Sequence, residues 1–282
     1  MDAQPPTASA ETAARVPHPA IRRHVPLYRG YRYSAGGAVW RREPPAGAVT
    51  VIVNLGGRFT AGWLGSPGPA FEVAPASSFI AGMHDRAAYT LDSGEQFGVE
   101  FEPTPLGAYA LFGLPLRELS GEIVALEEVL GPGARGLVER MAAAPGWAER
   151  FDLLDAALLG RAREPAAVHP MVARAWEVLA ASRGRATVAE LSRETGYSRR
   201  HLSARFHEQL GLAPKAAARV LRFRAALGLV LSGRALAEAA AESGYHDQAH
   251  LTRDWRDLAG CTPAELRGEM LAGFAAPAAA PR

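Results

Sequence analysis

The stretch VAELSRETGY (188–197) recurs in this 282-residue chain as LAEAAAESGY (236–245). The similarity continues beyond both stretches, since HLSARF (201–206) matches HLTRDW (250–255) and GLAP (211–214) matches GCTP (260–263). The pairs that fall into register are Gly196/Gly244, Tyr197/Tyr245, His201/His250, Leu202/Leu251, Phe206/Trp255 and Pro214/Pro263. An internal repeat of such unlike residue types indicates a duplicated structural unit.

Each copy has the parts of a helix-turn-helix. A first helix ends at a glycine that can take positive φ, and a short turn leads into a second helix. In copy one Thr187 and Glu190 form a T-x-x-E capping box, whereas copy two has Ala235 at the cap position. The predicted caps of the second helices are Ser198 in copy one and either His246 or Asp247 in copy two.

The two second helices are predicted to be amphipathic. Leu202 and Phe206 lie one turn apart, as do Leu251 and Trp255, so these pairs should face inward. The opposite faces carry Arg199, Arg200, Ser203 and His207 in copy one, and Gln248, Ala249, Thr252, Arg253 and Arg256 in copy two. Arginine and glutamine can make bidentate contacts with guanine and adenine edges in the major groove. A merely solvated face is the alternative, and two tandem copies in a basic segment favour DNA binding over it.

Between the copies, KAAARVLRFRAALGLVLSG (215–233) predicts one long amphipathic helix. This helix would hold the two units at a fixed separation. If the second helices lie ~34 Å apart, both can enter successive major grooves on one face of the duplex.

The doubled helix-turn-helix, the linking helix and the ending DWRDLAGCTPAELR (254–267) resemble the DNA-binding domain of AraC/XylS-type bacterial transcriptional regulators. The resemblance covers roughly residues 171–270. It implies base-contacting residues early in each recognition helix. Matched position by position, these are Arg200, Ser203 and Ala204 in the first helix and Gln248, Ala249, Thr252 and Arg253 in the second. Ala204 and Ala249 can at most contact a thymine methyl group.

The amino-terminal part has a different pattern. Short β-branched or aromatic runs alternate with Gly/Pro turns between about residues 25 and 101, which predicts a small antiparallel barrel or sandwich. Helical periodicity follows in LGAYALFGL (106–114), VALEEVLG (124–131), GLVERMAAA (136–144) and WAERFDLLDAALLGRA (147–162). In outline this part is similar to the β domains that serve as effector or dimerisation modules in such regulators.

The predicted fold class is therefore α+β. We expect residues 1–24 to be disordered, 25–165 to form the β-rich domain with its appended helices, 166–272 to form the all-α DNA-binding domain, and 273–282 to be a tail. Residues 171–282 carry a net charge of +5 and residues 1–170 carry −3, which favours a polyanionic partner for the carboxy-terminal domain.

Other chemistry has less support in the sequence. HDQAH (246–250) places His246 and His250 at a spacing like that of zinc hydrolases, but His246 falls at or before the predicted helix cap. Residues 25–101 contain one histidine, His84, whereas a facial iron triad needs two. Glu100 and Glu102 fit a solvated stripe or arginine partners better than a catalytic pair. We also expect Cys261 to be a small packed residue, and Phe59 and four other aromatic residues, Trp40, Trp63, Tyr89 and Phe97, to be core more than pocket lining.

The sequence thus predicts a one-component transcription factor that is not an enzyme and has no metal or cofactor. Its expected partners are double-stranded DNA, RNA polymerase if it activates, a small-molecule effector and a second copy of the chain, with no membrane. No secretory signal or bilayer-spanning run is evident, which predicts a bacterial cytoplasmic location. Two alternatives stay open: a cupin-type metal-dependent enzyme fused to a DNA-binding module, and an effector-free accessory DNA-binding protein.

Overall fold

The computed structural model describes residues 9–35, 37–64, 71–73, 78–92 and 94–272. The predicted tail at 273–282 lies outside these residues, as do the first eight residues of the predicted disordered segment. Within the described ranges, no helix is long and apolar enough to cross a membrane.

The amino-terminal domain contains ten described strands. They are β1 (Ser9–Arg15), β2 (Tyr28–Ser34), β3 (Val39–Glu43), β4 (Thr50–Gly56), β5 (Phe59–Trp63), β6 (Phe71–Val73), β7 (Phe79–Ala81), β8 (Ala88–Asp92), β9 (Glu95–Phe101) and β10 (Ile123–Ala125). Six form one antiparallel sheet in the order β1-β2-β9-β4-β7-β10, and four form a second in the order β3-β8-β5-β6. The prediction of a small antiparallel barrel or sandwich is confirmed.

Alternation of apolar residues shows why these segments form strands. In β4, Val51, Val53 and Leu55 are buried at every second position, since successive side chains of a strand point to opposite faces. The register between β4 and β9 shifts between Asn54 and Gly56, which marks a bulge near the end of β4.

The prediction that residues 1–24 are disordered is wrong from residue 9 onward. Strand β1 pairs with β2 along its whole length, from Ser9 opposite Ser34 to Arg15 opposite Tyr28. Arg15 also forms ion pairs with Asp152 and Asp155, at 2.6 and 2.9 Å. Main-chain pairing needs no apolar pattern, which explains why composition alone suggested disorder.

Eleven α-helices occur in the described chain, together with a short 3₁₀ helix at Leu116–Leu119. They are α1 (Pro105–Phe112), α2 (Leu126–Leu130), α3 (Gly133–Ala143), α4 (Trp147–Ala162), α5 (Pro170–Ala181), α6 (Val188–Thr195), α7 (Arg199–Leu210), α8 (Pro214–Leu231), α9 (Leu236–Glu242), α10 (Gln248–Ala259) and α11 (Pro263–Ala272). The helix predicted at 124–131 is wrong at its start, because Val124 and Ala125 belong to β10, which pairs with β7.

The two domains share one apolar core. Buried residues from Ile21 in the amino-terminal domain to Leu266 in α11 form a single continuous cluster. A polar contact adds to it, since the Arg42 side chain on β3 donates to the carbonyl of Ala259 at 3.0 Å and pairs with Glu269 at 2.9 Å. Strand β3 therefore contacts the carboxy-terminal end of α10 directly.

Candidate nucleic-acid interface

The first helix-turn-helix consists of α6, a turn and α7. Thr187 caps α6 by accepting a hydrogen bond from the Glu190 amide at 3.2 Å, and the Glu190 carboxylate accepts from the Thr187 amide at 2.8 Å. Helix α6 ends at Gly196, whose φ of 75° is the left-handed conformation that glycine adopts without strain. Ser198 then caps α7 by accepting from the His201 amide at 3.3 Å. These predictions from copy one are confirmed.

The second unit consists of α9, a turn and α10. Ala235 precedes α9 and makes no side-chain cap, as the sequence predicted. Of the two candidates for the cap of α10, the structure selects Asp247, whose carboxylate accepts from the His250 amide at 2.7 Å. That hydrogen bond lowers the pKa of Asp247 below its usual value. The capping carboxylate also suits the positive end of the α10 dipole.

Both second helices are anchored by fully buried side chains. Leu202 and Phe206 of α7 and Leu251 and Trp255 of α10 have no exposed surface, which confirms that these pairs face inward. The Trp255 ring packs edge-on against Phe223 of the linking helix α8, with centroids 5.0 Å apart. Because the inner faces are fixed, the opposite faces of α7 and α10 must point to solvent.

The structure places the eight predicted DNA-contacting residues on those outward faces. Six are exposed, and Ser203 and Thr252 are half-buried; the exposed ones are Arg199, Arg200, Ala204, Gln248, Ala249 and Arg253. The Thr252 hydroxyl donates to the backbone carbonyl of Gln248 at 2.8 Å. Its proton is therefore engaged within α10, which leaves the oxygen as an acceptor and the methyl group for apolar contact.

The arginines of the outward faces differ from those that stabilise the fold. Arg219 on α8 forms ion pairs with Asp254 at 2.9 Å and Asp257 at 2.7 Å, and so fastens α10 to the linking helix. Among the residues that the structure describes, Arg199, Arg200 and Arg253 have no such partner, so their guanidinium groups are available to an external acceptor. Guanidinium groups can donate two hydrogen bonds to a guanine edge or to a phosphate.

Sequence reasoning missed two features that position this surface. The first is the pair of hydrogen bonds that Arg219 donates to Asp254 and Asp257, more than thirty residues further along the chain. The second is the hydrogen bond that Arg42 of the amino-terminal domain donates to Ala259 at the end of α10. No short motif marks either contact, because each joins segments that are distant in the chain.

The HDQAH segment does not have the geometry of a zinc motif. Helix α10 begins at Gln248, so His246 lies outside it, with its Nδ1 3.0 Å from Asp247 Oδ2. The i,i+4 relation that would place both histidines on one helical face therefore does not hold. Across the described parts of the chain, no group of three or more His, Cys, Asp or Glu side chains is arranged to hold a metal ion.

Cys261 is packed between the domains. Its side chain is buried, and burial raises the pKa of the thiol to about 11. A neutral buried thiol is a poor nucleophile, which agrees with the prediction of a small packed residue.

The amino-terminal domain contains a cavity of about 270 Å³ between its two sheets. Phe59 lines this cavity, and it is one of the five aromatic residues that the sequence predicts to be core, namely Trp40, Phe59, Trp63, Tyr89 and Phe97. The expectation of a solvated stripe is wrong for Glu100, which faces this cavity, and burial raises the pKa of its carboxyl group. The reason is that β9 lies inside its sheet, between β2 and β4, and the second sheet covers this face.

Comparison with known proteins agrees with the geometry. Residues 191–269 match a family described as "Helix-turn-helix domain". A structure of ToxT from Vibrio cholerae is 12% identical and covers 93% of this chain and 98% of its own, with a TM-score of 0.50. A second ToxT structure, the apo form of a variant from V. cholerae strain SCE256, is 10% identical and covers 86% of this chain and 97% of its own, with a TM-score of 0.51.

The carboxy-terminal domain of AraT, a response regulator from Geobacillus stearothermophilus, is 23% identical and covers 36% of this chain and 88% of its own, with a TM-score of 0.35. No curated protein sequence matches the chain. The family match and the shared fold of ToxT confirm the resemblance drawn from the repeat, and the fold of ToxT confirms the predicted α+β fold class.

Proposed function

We propose that this DNA-binding transcription regulator of the AraC/XylS type inserts α7 and α10 into successive major grooves of one duplex. The observation that carries the proposal is the pair of outward faces, each fixed by buried anchors. They bear Arg199 and Arg200 on α7 and Arg253 on α10, which form no ion pair with any residue that the structure describes. Helix α8 holds the two faces at one separation. A single chain would then contact a DNA site whose two halves lie about one helical turn apart.

The roles of the outward residues follow from their chemistry. Arg200, Gln248 and Arg253 would donate to base edges, with arginine suited to guanine and glutamine to adenine. Arg199, at the first position of α7, would bind a phosphate together with the free amides of that helix end. Ser203 and Thr252 would accept or donate single hydrogen bonds, and Ala204 and Ala249 would contact thymine methyl groups.

The amino-terminal domain would make this binding conditional on a small molecule. Its cavity and its direct contact with α10 through Arg42 support that role. The function proposed here involves no catalytic step and is exercised in the bacterial cytoplasm. RNA polymerase would be a second partner if the chain activates transcription, and a second copy of the chain would be a third if the protein dimerises.

Substitution of Arg253 tests the assignment of α10. If Arg253 contacts a guanine, Arg253→Ala should cost ~1–3 kcal/mol at that base pair and relax sequence preference there alone. In vitro selection of binding sites with the purified chain and with the variant measures this. Arg135→Ala, which removes an exposed arginine on α3 of the amino-terminal domain, is the matched control. An unchanged selected sequence with Arg253→Ala would reject the assignment.

A further inference from the structure

The polar side chains of the cavity between the two sheets come from four strands. Its polar walls are Tyr31 and Tyr33 on β2, Arg41 and Glu43 on β3, Thr90 and Asp92 on β8, and Gln96 and Glu100 on β9. Residues an even number of positions apart on a strand share a face, so each pair points into the same space. Gly98, between the β9 residues, makes room, because a Cβ there would lie 2.7 Å from the Tyr31 hydroxyl oxygen.

The inner end of the cavity is electrically balanced. Asp92 is buried, forms an ion pair with Arg41 and accepts a hydrogen bond from the Tyr33 hydroxyl. Its second oxygen accepts from the Gly94 amide at 2.7 Å. The charge of Asp92 is therefore compensated within the protein, and it does not call for a ligand.

Gln96 has unused hydrogen-bonding capacity at the same end. Its side chain is 6% exposed and lines the cavity, and its Nε2 has no hydrogen-bond partner among the described residues. A buried donor without an acceptor is unfavourable, so such groups in native proteins usually meet water or a ligand. A hydrogen-bond acceptor on a bound molecule would satisfy this amide.

The mouth of the cavity is acidic. Glu100 is half-buried, and Glu43 still reaches solvent; in the described part of the chain neither forms an ion pair. The protein atoms packed around Glu43, and then the charge of Glu100, raise the pKa of Glu43, whereas Arg41 and the Thr90 hydroxyl lower it. The carboxylates of Glu43 and Glu100 therefore repel each other when both are ionised.

The neighbouring charges do not cancel this acidity. Arg29 stands opposite Glu100 across β2 and β9 but is exposed, and Glu102 follows Glu100 on the acidic side. The apolar wall of the same cavity is formed by Ile52, Phe59 and Phe79. Aromatic faces attract cations, as carboxylates do. An anionic ligand would meet repulsion from these carboxylates. A cation would offset the acidic charge, which Arg41 and Arg29 offset only in part.

We propose that the cavity binds a small organic cation. Its ammonium or guanidinium group would lie between Glu43 and Glu100, its apolar body against Phe59 and Phe79, and a hydrogen-bond acceptor at Gln96. This ligand class deepens the proposed function and rests on the sensor role given there to the amino-terminal domain.

Calorimetric titration of the full chain with matched probes tests the charge requirement. Tyramine, agmatine and choline supply the cation, whereas 4-ethylphenol and 3-(4-hydroxyphenyl)propionate keep the aromatic body of tyramine without a positive charge. At least one cation should bind, and the neutral and anionic analogues of tyramine should bind more weakly than tyramine.

Glu100→Gln should weaken cation binding by about tenfold or more, because a charge-assisted contact is lost. Glu139→Gln, an exposed glutamate on α3, is the control and should leave it unchanged.

The pH dependence of binding gives a second test. A cation held by ionised carboxylates should bind more tightly at pH 8 than at pH 6, because its binding displaces a proton at the mouth. The charged and titratable groups around Glu43 are Tyr31 on β2, Arg41 on β3, Glu100 on β9 and Glu102 beyond it, and Arg29 on β2 faces Glu100. In Glu100→Gln the dependence should shrink.

Three outcomes would overturn the proposal. The first is that none of the three cations binds at about 10 mM. The second is that 4-ethylphenol and tyramine bind equally tightly. The third is that Glu100→Gln leaves the affinity for the cation unchanged. The proposed DNA contacts are measured separately by site selection, so they can stand while this ligand class fails. If a cation binds but leaves DNA affinity unchanged, the ligand class stands and the sensor role fails.

Discussion

Asp247 sets the first turn of α10, the second of the two proposed recognition helices. Its carboxylate accepts from the His250 amide, which satisfies one of the amides that a helix end leaves unpaired. Gln248, Ala249, Thr252 and Arg253 all lie within the next two turns. This cap therefore stabilises the first turn of the helix that carries them, whose outward direction the buried Leu251 and Trp255 set.

The pKa of Asp247 gives a pH-dependent prediction. Hydrogen bonding lowers its pKa in the folded state, so its contribution to stability is complete above the unfolded pKa of 3.8 and is lost as the pH falls through the lower pKa of the folded state. Asp247→Ala should lower the unfolding temperature clearly at pH 7 and less at about pH 2, where the carboxyl group is protonated in both states. Thermal unfolding of both proteins at the two pH values measures this. Asp247→Asn, which keeps an acceptor, is the control, and an equal loss for Asp247→Ala at both pH values would contradict the account.

At the scale of elements, the two helix-turn-helix units differ in how their first helices begin. Helix α6 has a complete capping box from Thr187 and Glu190. Helix α9 has Ala235 at the cap but already carries Glu238 at the third helical position. One hydroxyl group is missing from an otherwise equivalent motif.

Supplying that hydroxyl should stabilise the protein. Ala235→Thr completes the T-x-x-E box at an exposed position with extended backbone, so the free energy of unfolding should rise by ~0.5–1 kcal/mol. Urea denaturation measures the change. Ala235→Val adds the same shape without a hydroxyl and should not stabilise. A Val variant as stable as the Thr variant would show that the cap is not the cause.

The elements that sequence predicted correctly are those with local signals. For α7 and α10, the cap, the apolar pair and the terminal glycine all lie within about fifteen residues of one another. The strand β1 has no such signal, since its partner β2 supplies the order through main-chain bonds. The sequence predicts a solvent-exposed side chain for Glu100, because it does not show which face of a central strand is covered by a second sheet.

At the scale of the whole molecule, Arg42 links the cavity to the DNA-binding domain. It lies between Arg41 and Glu43, whose side chains line the cavity, and its own side chain points to the other face of β3. There it holds the end of α10 and Glu269 of α11. A change at the cavity wall can therefore reach α10 through this one residue.

Removal of this link should loosen the junction. Arg42→Met keeps most of the side-chain volume and deletes the charge-assisted hydrogen bonds to Ala259 and Glu269. Amide hydrogen exchange at the end of α10 and in α11 should become about tenfold faster, which corresponds to ~1.4 kcal/mol. Exchange mass spectrometry measures this, with Arg29→Met, an exposed arginine on β2, as the control. Unchanged exchange in α10 and α11 would show that the apolar core alone holds the domains together.

The spacing of the DNA site tests the central claim most directly. Once the bound sequence is selected, extra base pairs can be inserted between the halves contacted by α7 and α10, and affinity measured at fixed salt. Helix α8 fixes the separation of the two faces, so an insertion of about half a helical turn (~5 bp) should reduce affinity to that of a single half-site. If the affinity stays close to that for the site without inserted base pairs, the two helices do not both enter successive major grooves.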